Sequence, residues 1–383
     1  MSTDYNHPTI SEDEKIIRPT KVEVNLVKLK HNFEEIKKHV SPAKINIVLK
    51  ANAYGHGLVP IAKLLEEIGA DYLSVAVVEE GILLRNSGIK MPILVLGGVW
   101  GNQVPLFIKY NLAITASSLE KVRQIDDTAE QMNKKAKVHI KIDTGMERVG
   151  VHYYNSHDFL EKVYKHKNIL VEGIYSHFAN ADSTDLAHTK LQFARFQESL
   201  YFFEKESIEL PIRHIANSGA MLQMPETYLD MVRPGILFYG VYPSKEIPKT
   251  ISVKPALTWK SLVVYFKVIK PGHPVGYGLK WKSEKNVRAV TVPVGYGDGY
   301  FRSMSHKAEV IIRNEKYPVI GTISMDQIIV NIGDNSAYNG DEVILLGSDG
   351  GSSISAADLA EWADTIPYEI LTNINTRVPR VYK

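Results

Sequence analysis

The sequence contains no cysteine. A chain without cysteine has no disulfide framework, no thiolate nucleophile and no cysteine-ligated metal site. Its acidic and basic residues nearly balance, at a formal net charge of +2, and the basic residues are scattered rather than clustered. Because proteins that bind nucleic acid or a membrane surface carry a basic patch, we predict neither partner here.

Long apolar runs are absent as well. No uninterrupted apolar stretch is long enough to span a bilayer. The segment from Met1 to Pro8 has neither the basic start nor the apolar stretch of a signal peptide. The hydrophobic share of 44% and the charged share of 23% are ordinary for globular proteins. We therefore expect a soluble, cytoplasmic protein.

What the chain does contain is an alternation of strand-like and helix-like segments. Short apolar runs predict eight strands, at residues 45–50, 72–77, 92–96, 112–115, 138–143, 170–177, 212–217 and 232–239. Helical patterns separate them, such as 58–68 and 117–134, where Ser117 is a candidate N-cap. Eight such units fit a (β/α)8 barrel, which usually has about 250 residues. A doubly wound open sheet is the alternative, but no Gly-x-Gly-x-x-Gly follows the first strand.

The pattern changes after Pro255. Strand-like segments follow at residues 256–270, 287–294, 308–313, 319–323, 328–332 and 342–346, and only 356–365 looks helical. We therefore predict an α/β fold, with an N-terminal extension over residues 1–20, a barrel over 21–250 and a mostly-β C-terminal domain over 251–383. The early segment 22–26 alternates apolar and polar residues, and its pattern fits pairing with either domain.

Several reactive side chains fall at or near the ends of predicted barrel strands: Lys50, Arg148, His177, His214, Ser218 and Arg233. A lone strand-end lysine is more often solvated, and a lone histidine is more often a satisfied core residue. Functional residues of such barrels, however, lie at the carboxyl ends of the strands, so the joint placement predicts one pocket. A lysine at the end of a dry strand can have a pKa low enough for it to act as a nucleophile or base.

The sequence lacks the motifs of several other enzyme classes. The sequence has no His-x-x-x-His pair with a nearby carboxylate and no Gly-x-Ser-x-Gly elbow, so we predict neither a zinc site nor a serine hydrolase. The glycine-rich segment 295–300 has the wrong spacing for a phosphate loop. A lysine, several arginines and small residues suited to a phosphate remain. This set suits a lysine-bound aldehyde cofactor.

Nine motifs, in order along the chain, carry a family resemblance: KANAYGHG at 50–57, KIDTGMER at 141–148, SHFA at 176–179, ANS at 216–218, RPGI at 233–236, GYG at 276–278, GYGDGY at 295–300, SMDQ at 324–327 and RVPR at 377–380. From about residue 20 to Lys383 the chain resembles the alanine racemases, which use pyridoxal 5'-phosphate (PLP). The resemblance implies interconversion of L- and D-alanine, which supplies D-alanine for cell-wall peptidoglycan.

The resemblance also implies two bases. Lys50 would attach PLP and would move a proton on one face of the substrate α-carbon, and Tyr277 would act on the opposite face. In the family this tyrosine comes from the partner subunit, so the resemblance implies a homodimer with shared active sites.

Further roles follow from the same resemblance. Arg233 would face the pyridine nitrogen of PLP beside His177, and the phosphate would contact Tyr54, Ser218, Gly235 and Ile236. The substrate would contact Arg148, Met325 and Asp326. Lys141 stands where some members carry a carbamylated lysine. The supporting residues near the substrate access route would be Asp182, Tyr296, Arg302 and Thr376.

The chain departs from the family pattern at three positions. Thr376 replaces a tyrosine that narrows the pocket in well-studied members, Thr322 replaces an arginine, and Ser324 replaces a cysteine. We therefore hypothesise that serine is accepted alongside alanine, and a serine or broad-specificity racemase is the alternative. A related decarboxylase would need a second-domain cysteine, which is absent. A PLP carrier would usually lack residues 256–383, and a bare scaffold leaves the strand-end clustering unexplained.

Overall fold

The computed structural model describes residues 18–383, which divide into two units. Asn25–Ala256 form one unit, and the described residues up to Val24 join Leu257–Lys383 in the other. The predicted extension over residues 1–20 lies mostly outside the described residues. The barrel unit thus begins at residue 25 rather than at 21, and it ends at residue 256 rather than at 250.

Eight parallel strands form the barrel of the first unit. In spatial order they are Met231–Val232, Lys44–Val48, Tyr72–Val75, Ile93–Val95, Ala113–Ala116, Ala136–Asp143, Ile169–Tyr175 and Ile212–His214. Backbone bonds from Asp230 N–H to Arg213 O (3.2 Å) and from Arg233 N–H to Ala216 O (2.9 Å) link the last strand to the first in this order. The predicted (β/α)8 barrel is confirmed, with Val151–His152 as a short addition beside Ala136–Asp143.

The helix Leu26–Val40 precedes the first barrel strand, and the helices between the strands are Leu58–Glu67, Val78–Asn86, Val104–Lys109, Leu119–Gln131, Ser156–Val163, Ala187–Lys205 and Ser218–Gln223. The first illustrates why they form. Asn25 caps it by accepting the Lys28 N–H at 2.8 Å. Its buried residues recur at helical spacing, from Leu29 to Val40, and so present one apolar face. Within residues 18–383, no helix is long and apolar enough to cross a membrane.

The eighth predicted strand, at residues 232–239, is wrong in its extent. Only Met231–Val232 pair as a strand, residues 233–235 are irregular, and residues 236–240 form turns. Pro234 has no N–H with which to extend the ladder, which favours the early end. The predicted strand therefore becomes a loop at the carboxyl end of the barrel, where Gly235 and Ile236 lie.

The second unit is a mostly-β domain, as predicted. Its main sheet contains, in spatial order, Tyr265–Ile269, Val287–Val292, Ile328–Gly333, Glu315–Ile320, Glu309–Ile312, Glu342–Asp349, Leu257–Leu262, Lys21–Val24 and Arg380–Tyr382, with Ser352–Ile354 beside Glu342–Asp349. Pro274–Val275 and Trp281–Lys282 form a separate pair. The predicted strand 256–270 is two strands, and the helix Pro367–Asn373 joins the expected helix Ala356–Ala363.

The strand Lys21–Val24 belongs to the β domain, although its sequence pattern fits pairing with either domain. This strand pairs antiparallel with Leu257–Leu262 and parallel with Arg380–Tyr382. Val22 and Val24 are fully buried, while the alternate positions are partly exposed. The apolar alternation therefore serves the β domain and not the barrel.

Candidate active site

Lys50 lies two residues after the end of the strand Lys44–Val48 and directly before a left-handed turn. Ala51, Asn52, Ala53 and Tyr54 all have φ between 51° and 56°. Such a conformation costs about 1–2 kcal/mol per L-residue, so side chains must hold it in place. The Asn52 Oδ1 atom accepts the Leu58 N–H at 2.8 Å, which fixes the end of the turn to the next helix.

Glu80 fixes the beginning of the same turn. Its Oε1 atom accepts the Ala51 N–H at 2.7 Å, and its Oε2 atom accepts the Ala76 N–H at 2.8 Å. One carboxylate thereby joins the lysine turn to the loop after the strand Tyr72–Val75. Sequence reasoning missed this residue. The only available signal was an acidic residue in the first turn of a helix, which is common.

The Lys50 amine has a lowered pKa. Partial burial lowers the pKa first, the positive charges of Arg148 and Arg233 lower it further, and the Glu80 carboxylate acts in the opposite direction. The residue still reaches solvent at the open end of the barrel. A larger share of its amine is therefore neutral, and hence nucleophilic and basic, than for an ordinary surface lysine.

Arg233 is the central cation of the barrel interior, with 3% of its surface exposed. It donates from Nη1 to His214 Nδ1 at 2.8 Å, and from Nη2 to Ser176 O at 2.7 Å and His177 Nδ1 at 3.2 Å. Its Nε–H makes no hydrogen bond to any described residue. Burial lowers the pKa of Arg233 to about 10, so it stays protonated at neutral pH.

Two further basic side chains lie beside Arg233, the half-buried His177 and the buried Lys141. Burial and the charges of Arg233 and Lys141 hold the pKa of His177 well below its ordinary value, so this imidazole is neutral. Lys141 is 8% exposed, and its Nζ lies 4.9 Å from the centre of the Tyr175 ring. Burial, and then the charge of Arg233, hold the pKa of Lys141 well below its ordinary value.

Asp143 shapes the loop that carries Arg148. Its carboxylate accepts the backbone N–H groups of Gly145, Met146 and Glu147 on Oδ1 and that of Arg148 on Oδ2, at 2.8–3.2 Å. Burial raises the pKa of Asp143, but these bonds outweigh burial and leave the pKa below its ordinary value. The Arg148 side chain is exposed at the same end of the barrel.

Gly235 lies at the centre of a polar cradle. A Cβ atom at this position would lie 2.6 Å from Tyr54 Oη, so a larger residue would displace the phenol. Ser218 Oγ accepts the Gly235 N–H at 3.0 Å, and the Ile236 N–H has no hydrogen-bond partner among the described residues. Backbone and hydroxyl donors around a glycine are suited to a phosphate group.

The remaining predicted residues are surface groups of their units. Tyr277 is 71% exposed, and its backbone oxygen accepts the Thr322 hydroxyl at 2.8 Å. Met325 O accepts the Gly297 N–H at 2.9 Å, next to Tyr296, and Asp326 accepts from Arg377 at 2.6 Å. The other exposed residues are Asp182, Arg302 and Thr376.

The structure thus brings the barrel residues into two adjoining groups. Lys50, Arg148, Lys141, His177 and Arg233 influence one another electrostatically, and Tyr54, Ser218, Gly235 and Ile236 form the cradle.

Sequence reasoning also missed Tyr175, whose ring lies beneath both Lys141 and Arg233. A tyrosine in a buried strand gives no sequence signal that separates it from ordinary core packing.

An aldehyde cofactor needs an amine of lowered pKa as its attachment point, and a phosphate group needs donors such as those around Gly235. The spare Nε–H of Arg233 adds a donor for a ring nitrogen. The residues present therefore fit PLP, and the fold with this site defines a PLP-dependent enzyme of the barrel-plus-β-domain class.

Within that class, the chain belongs to the alanine racemase family. The model for the alanine racemase N-terminal domain matches residues 24–243, and the model for the C-terminal domain matches residues 256–382. The alanine racemase of Halothermothrix orenii is 43% identical over 97% of this chain and 98% of that protein. The alanine racemase of Carboxydothermus hydrogenoformans is 42% identical over 96% of this chain and 100% of that protein.

Solved structures agree. The alanine racemase of Clostridium difficile 630 has a TM-score of 0.91 at 39% identity, covering 96% of this chain and 97% of that chain. The Bacillus anthracis alanine racemase with bound L-Ala-P has a TM-score of 0.91 at 33% identity, covering 96% of each chain. The family depends on PLP, in agreement with the cofactor expected from the sequence.

Proposed function

We propose that this protein is an alanine racemase that interconverts L- and D-alanine with PLP as its cofactor. The observation that carries the proposal is the Lys50 amine, which has a lowered pKa and lies at the carboxyl end of a barrel strand in a chain of this family. When bound, PLP withdraws electrons from the substrate and makes its α-carbon proton acidic. The protein must then remove and return that proton.

Lys50 serves two purposes in this proposal. Its amine is the attachment point of PLP, and once released it takes or returns a proton at one face of the α-carbon. Inversion requires a second acid–base group on the opposite face, and Tyr277 is that group. Its phenol is well exposed in its own unit, which supports its supply to the site of a second copy. The active form is then a homodimer with shared sites.

Arg233 and His177 hold the cofactor ring. The Nε–H of Arg233 would donate to the pyridine nitrogen, and an arginine that stays protonated cannot pass its proton to that nitrogen. Arg233 would thereby keep the electron withdrawal by the cofactor ring weak, which would limit side reactions. Neutral His177 accepts from Arg233 on Nδ1 and so helps to fix the guanidinium.

Phosphate and carboxylate recognition are divided between separate groups. Ser218, Tyr54, Gly235 and the Ile236 N–H bind the phosphate in the cradle around residue 235. Arg148 binds the substrate carboxylate as a fixed cation on the loop that Asp143 shapes.

Three remaining assignments concern the substrate and its approach. We assign the Met325 backbone and Asp326 to recognition of the substrate carboxylate. Lys141 lies in the Arg233 environment and supports Arg148, and we assign Asp182, Tyr296, Arg302 and Thr376 to substrate access. We place the enzyme in the cytoplasm, where it supplies D-alanine for peptidoglycan.

One experiment tests this function. The purified protein is incubated with L-alanine, and D-alanine is measured with D-amino-acid oxidase. We expect conversion that requires PLP and is lost in Lys50→Ala, with borohydride fixing the cofactor to the peptide that contains Lys50. A protein that binds PLP at Lys50 but produces no D-alanine would overturn the proposal.

Racemisation of serine is the second candidate, and Thr376 favours it. A threonine occupies less space than the tyrosine that the family pattern leads one to expect there, which leaves room for a hydroxymethyl side chain. The same assay with L-serine measures this activity beside that with alanine.

A further inference from the structure

A continuous hydrogen-bond chain runs from Arg233 through the barrel interior. Arg233 Nη1 lies 2.8 Å from His214 Nδ1, and His214 Nε2 lies 2.8 Å from His139 Nδ1. His139 Nε2 lies 3.3 Å from Tyr72 Oη, which donates to Glu172 Oε2 at 2.8 Å. His214, His139, Tyr72 and Glu172 come from four different strands.

Only one direction of donation satisfies every member. Arg233 can only donate, so His214 Nδ1 must accept and His214 Nε2 must carry the proton. His139 Nδ1 then accepts, and His139 Nε2–H donates to the Tyr72 oxygen. The phenol O–H then donates a hydrogen bond to the Glu172 carboxylate, which can only accept. The cation at one end and the anion at the other therefore require the same arrangement.

The protonation states agree with this direction. Burial and the charge of Arg233 lower the pKa of His139 to about 3 and hold that of His214 well below its ordinary value. Both imidazoles are consequently neutral, with one donor and one acceptor each. Burial and the adjacent Glu172 carboxylate raise the pKa of Tyr72. The phenol therefore stays protonated and can donate its hydrogen bond to Glu172.

The barrel is built around this chain. A Cβ atom at Gly173 would lie 2.4 Å from His139 Nδ1, so glycine leaves the space that the imidazole occupies. The strand pairing shifts register between Val138 and His139, an irregularity of the kind that redirects side chains. The Tyr175 ring stacks on His214 at 4.8 Å and an interplanar angle of 5°.

Arg233 needs such support because its charge has no ion-pair partner among residues 18–383. An isolated buried charge is costly, and aligned hydrogen bonds in a dry interior strengthen one another. Glu172 is the carboxylate at the far end of the chain, where it also pairs with Lys137 at 3.1 Å. It lines a surface cavity of about 470 Å³ that also contains Glu209.

We propose that Glu172, Tyr72, His139 and His214 form a positioning relay, which fixes the orientation of Arg233 and so presents its Nε–H to the cofactor. The role of Arg233 toward PLP rests on the proposed function, but the relay itself does not. Glu172 acts at a distance through three intervening side chains. It is a positioning residue and touches neither substrate nor cofactor.

Nuclear magnetic resonance of the holoenzyme, labelled with ¹⁵N-histidine, tests the relay. In the wild-type protein we expect both His139 and His214 as neutral Nε2–H tautomers. Glu172→Gln removes the anion and keeps the shape, so the Nε2–H protons of both histidines should move upfield as their hydrogen bonds weaken. Tyr72→Phe should shift the His214 signal in the same way. Glu209→Gln, in the same cavity but outside the chain, should shift neither.

Kinetics supply a second readout. Loss of one end of the relay should weaken PLP binding and lower kcat by about three- to tenfold, the range for one hydrogen bond, and leave the KM for alanine unchanged. An Nδ1–H tautomer of His214, or a His214 signal that neither variant shifts, would overturn the relay. A wild-type protein without racemase activity would instead overturn the proposed function, and the spectra would still decide on the relay.

Discussion

The Glu80 carboxylate accepts the backbone N–H of Ala51 at 2.7 Å, one residue after Lys50. The same carboxylate therefore affects both the pKa of Lys50 and the backbone conformation of the turn that follows it. The carboxylate stabilises the protonated form of the Lys50 amine, and it also orders the backbone that aims the amine. A single substitution at position 80 therefore changes both.

Glu80→Gln should lower the pKa of Lys50 further. Removal of the negative charge destabilises the ammonium form, so the neutral amine dominates from a lower pH. The rate at which the apoprotein binds PLP covalently depends on the neutral amine, and its pH midpoint should move to lower pH. Glu79→Gln, a neighbouring exposed carboxylate, is the matched control and should leave the midpoint in place. An upward movement in Glu80→Gln would contradict this assignment.

Gly235→Ala should weaken PLP binding by roughly tenfold or more, in line with the cost of forcing one methyl group into a packed site. The new Cβ would lie 2.6 Å from Tyr54 Oη, so the phenol must leave the cradle. The measurement is the dissociation constant of PLP. Gly351→Ala provides the control, since a Cβ there meets no atom within 4 Å. Equal PLP affinity in both variants would exclude the cradle as the phosphate site.

Thr376→Tyr should lower the ratio of serine to alanine turnover. A phenol at this position narrows the space available to a substrate side chain, and the hydroxymethyl group of serine is larger than a methyl group. The ratio of kcat/KM values for the two substrates measures the effect, with Thr376→Ser as the control that keeps the site wide. If the tyrosine leaves the ratio unchanged, Thr376 does not determine specificity.

The sequence was sufficient for the barrel because its strands are short apolar runs at regular spacing, and the parallel register follows from the intervening helices. It was insufficient where pairing partners are distant in the chain. The alternation at Lys21–Val24 shows that one face is buried, but no local pattern selects Leu257–Leu262 as the neighbour. The N-cap of the helix Leu119–Gln131 is Ser118, and the predicted cap Ser117 is wrong. A rule that considers only local sequence cannot choose between two adjacent serines.

The same contrast holds for the site. Lys50, Arg148, His177, Ser218 and Arg233 were candidates from the sequence because reactive side chains stand out at strand ends, and family motifs supplied their suggested roles. Glu80, Tyr175 and the relay through His139 were not found. Their importance depends on contacts between strands far apart in the sequence, such as the one between Tyr72 and Glu172, and one chain in isolation does not reveal such pairs.

Solvent deuterium exchange in Tyr277→Phe tests the central claim, that Lys50 and Tyr277 act on opposite faces of the substrate. We predict that racemisation falls by roughly 10²–10⁴, the range for one acid–base group. In D₂O, the α-proton of D-alanine should still exchange through Lys50, and that of L-alanine should exchange far more slowly. Equal exchange rates for the two enantiomers in this variant would contradict the assignment of one base to each face.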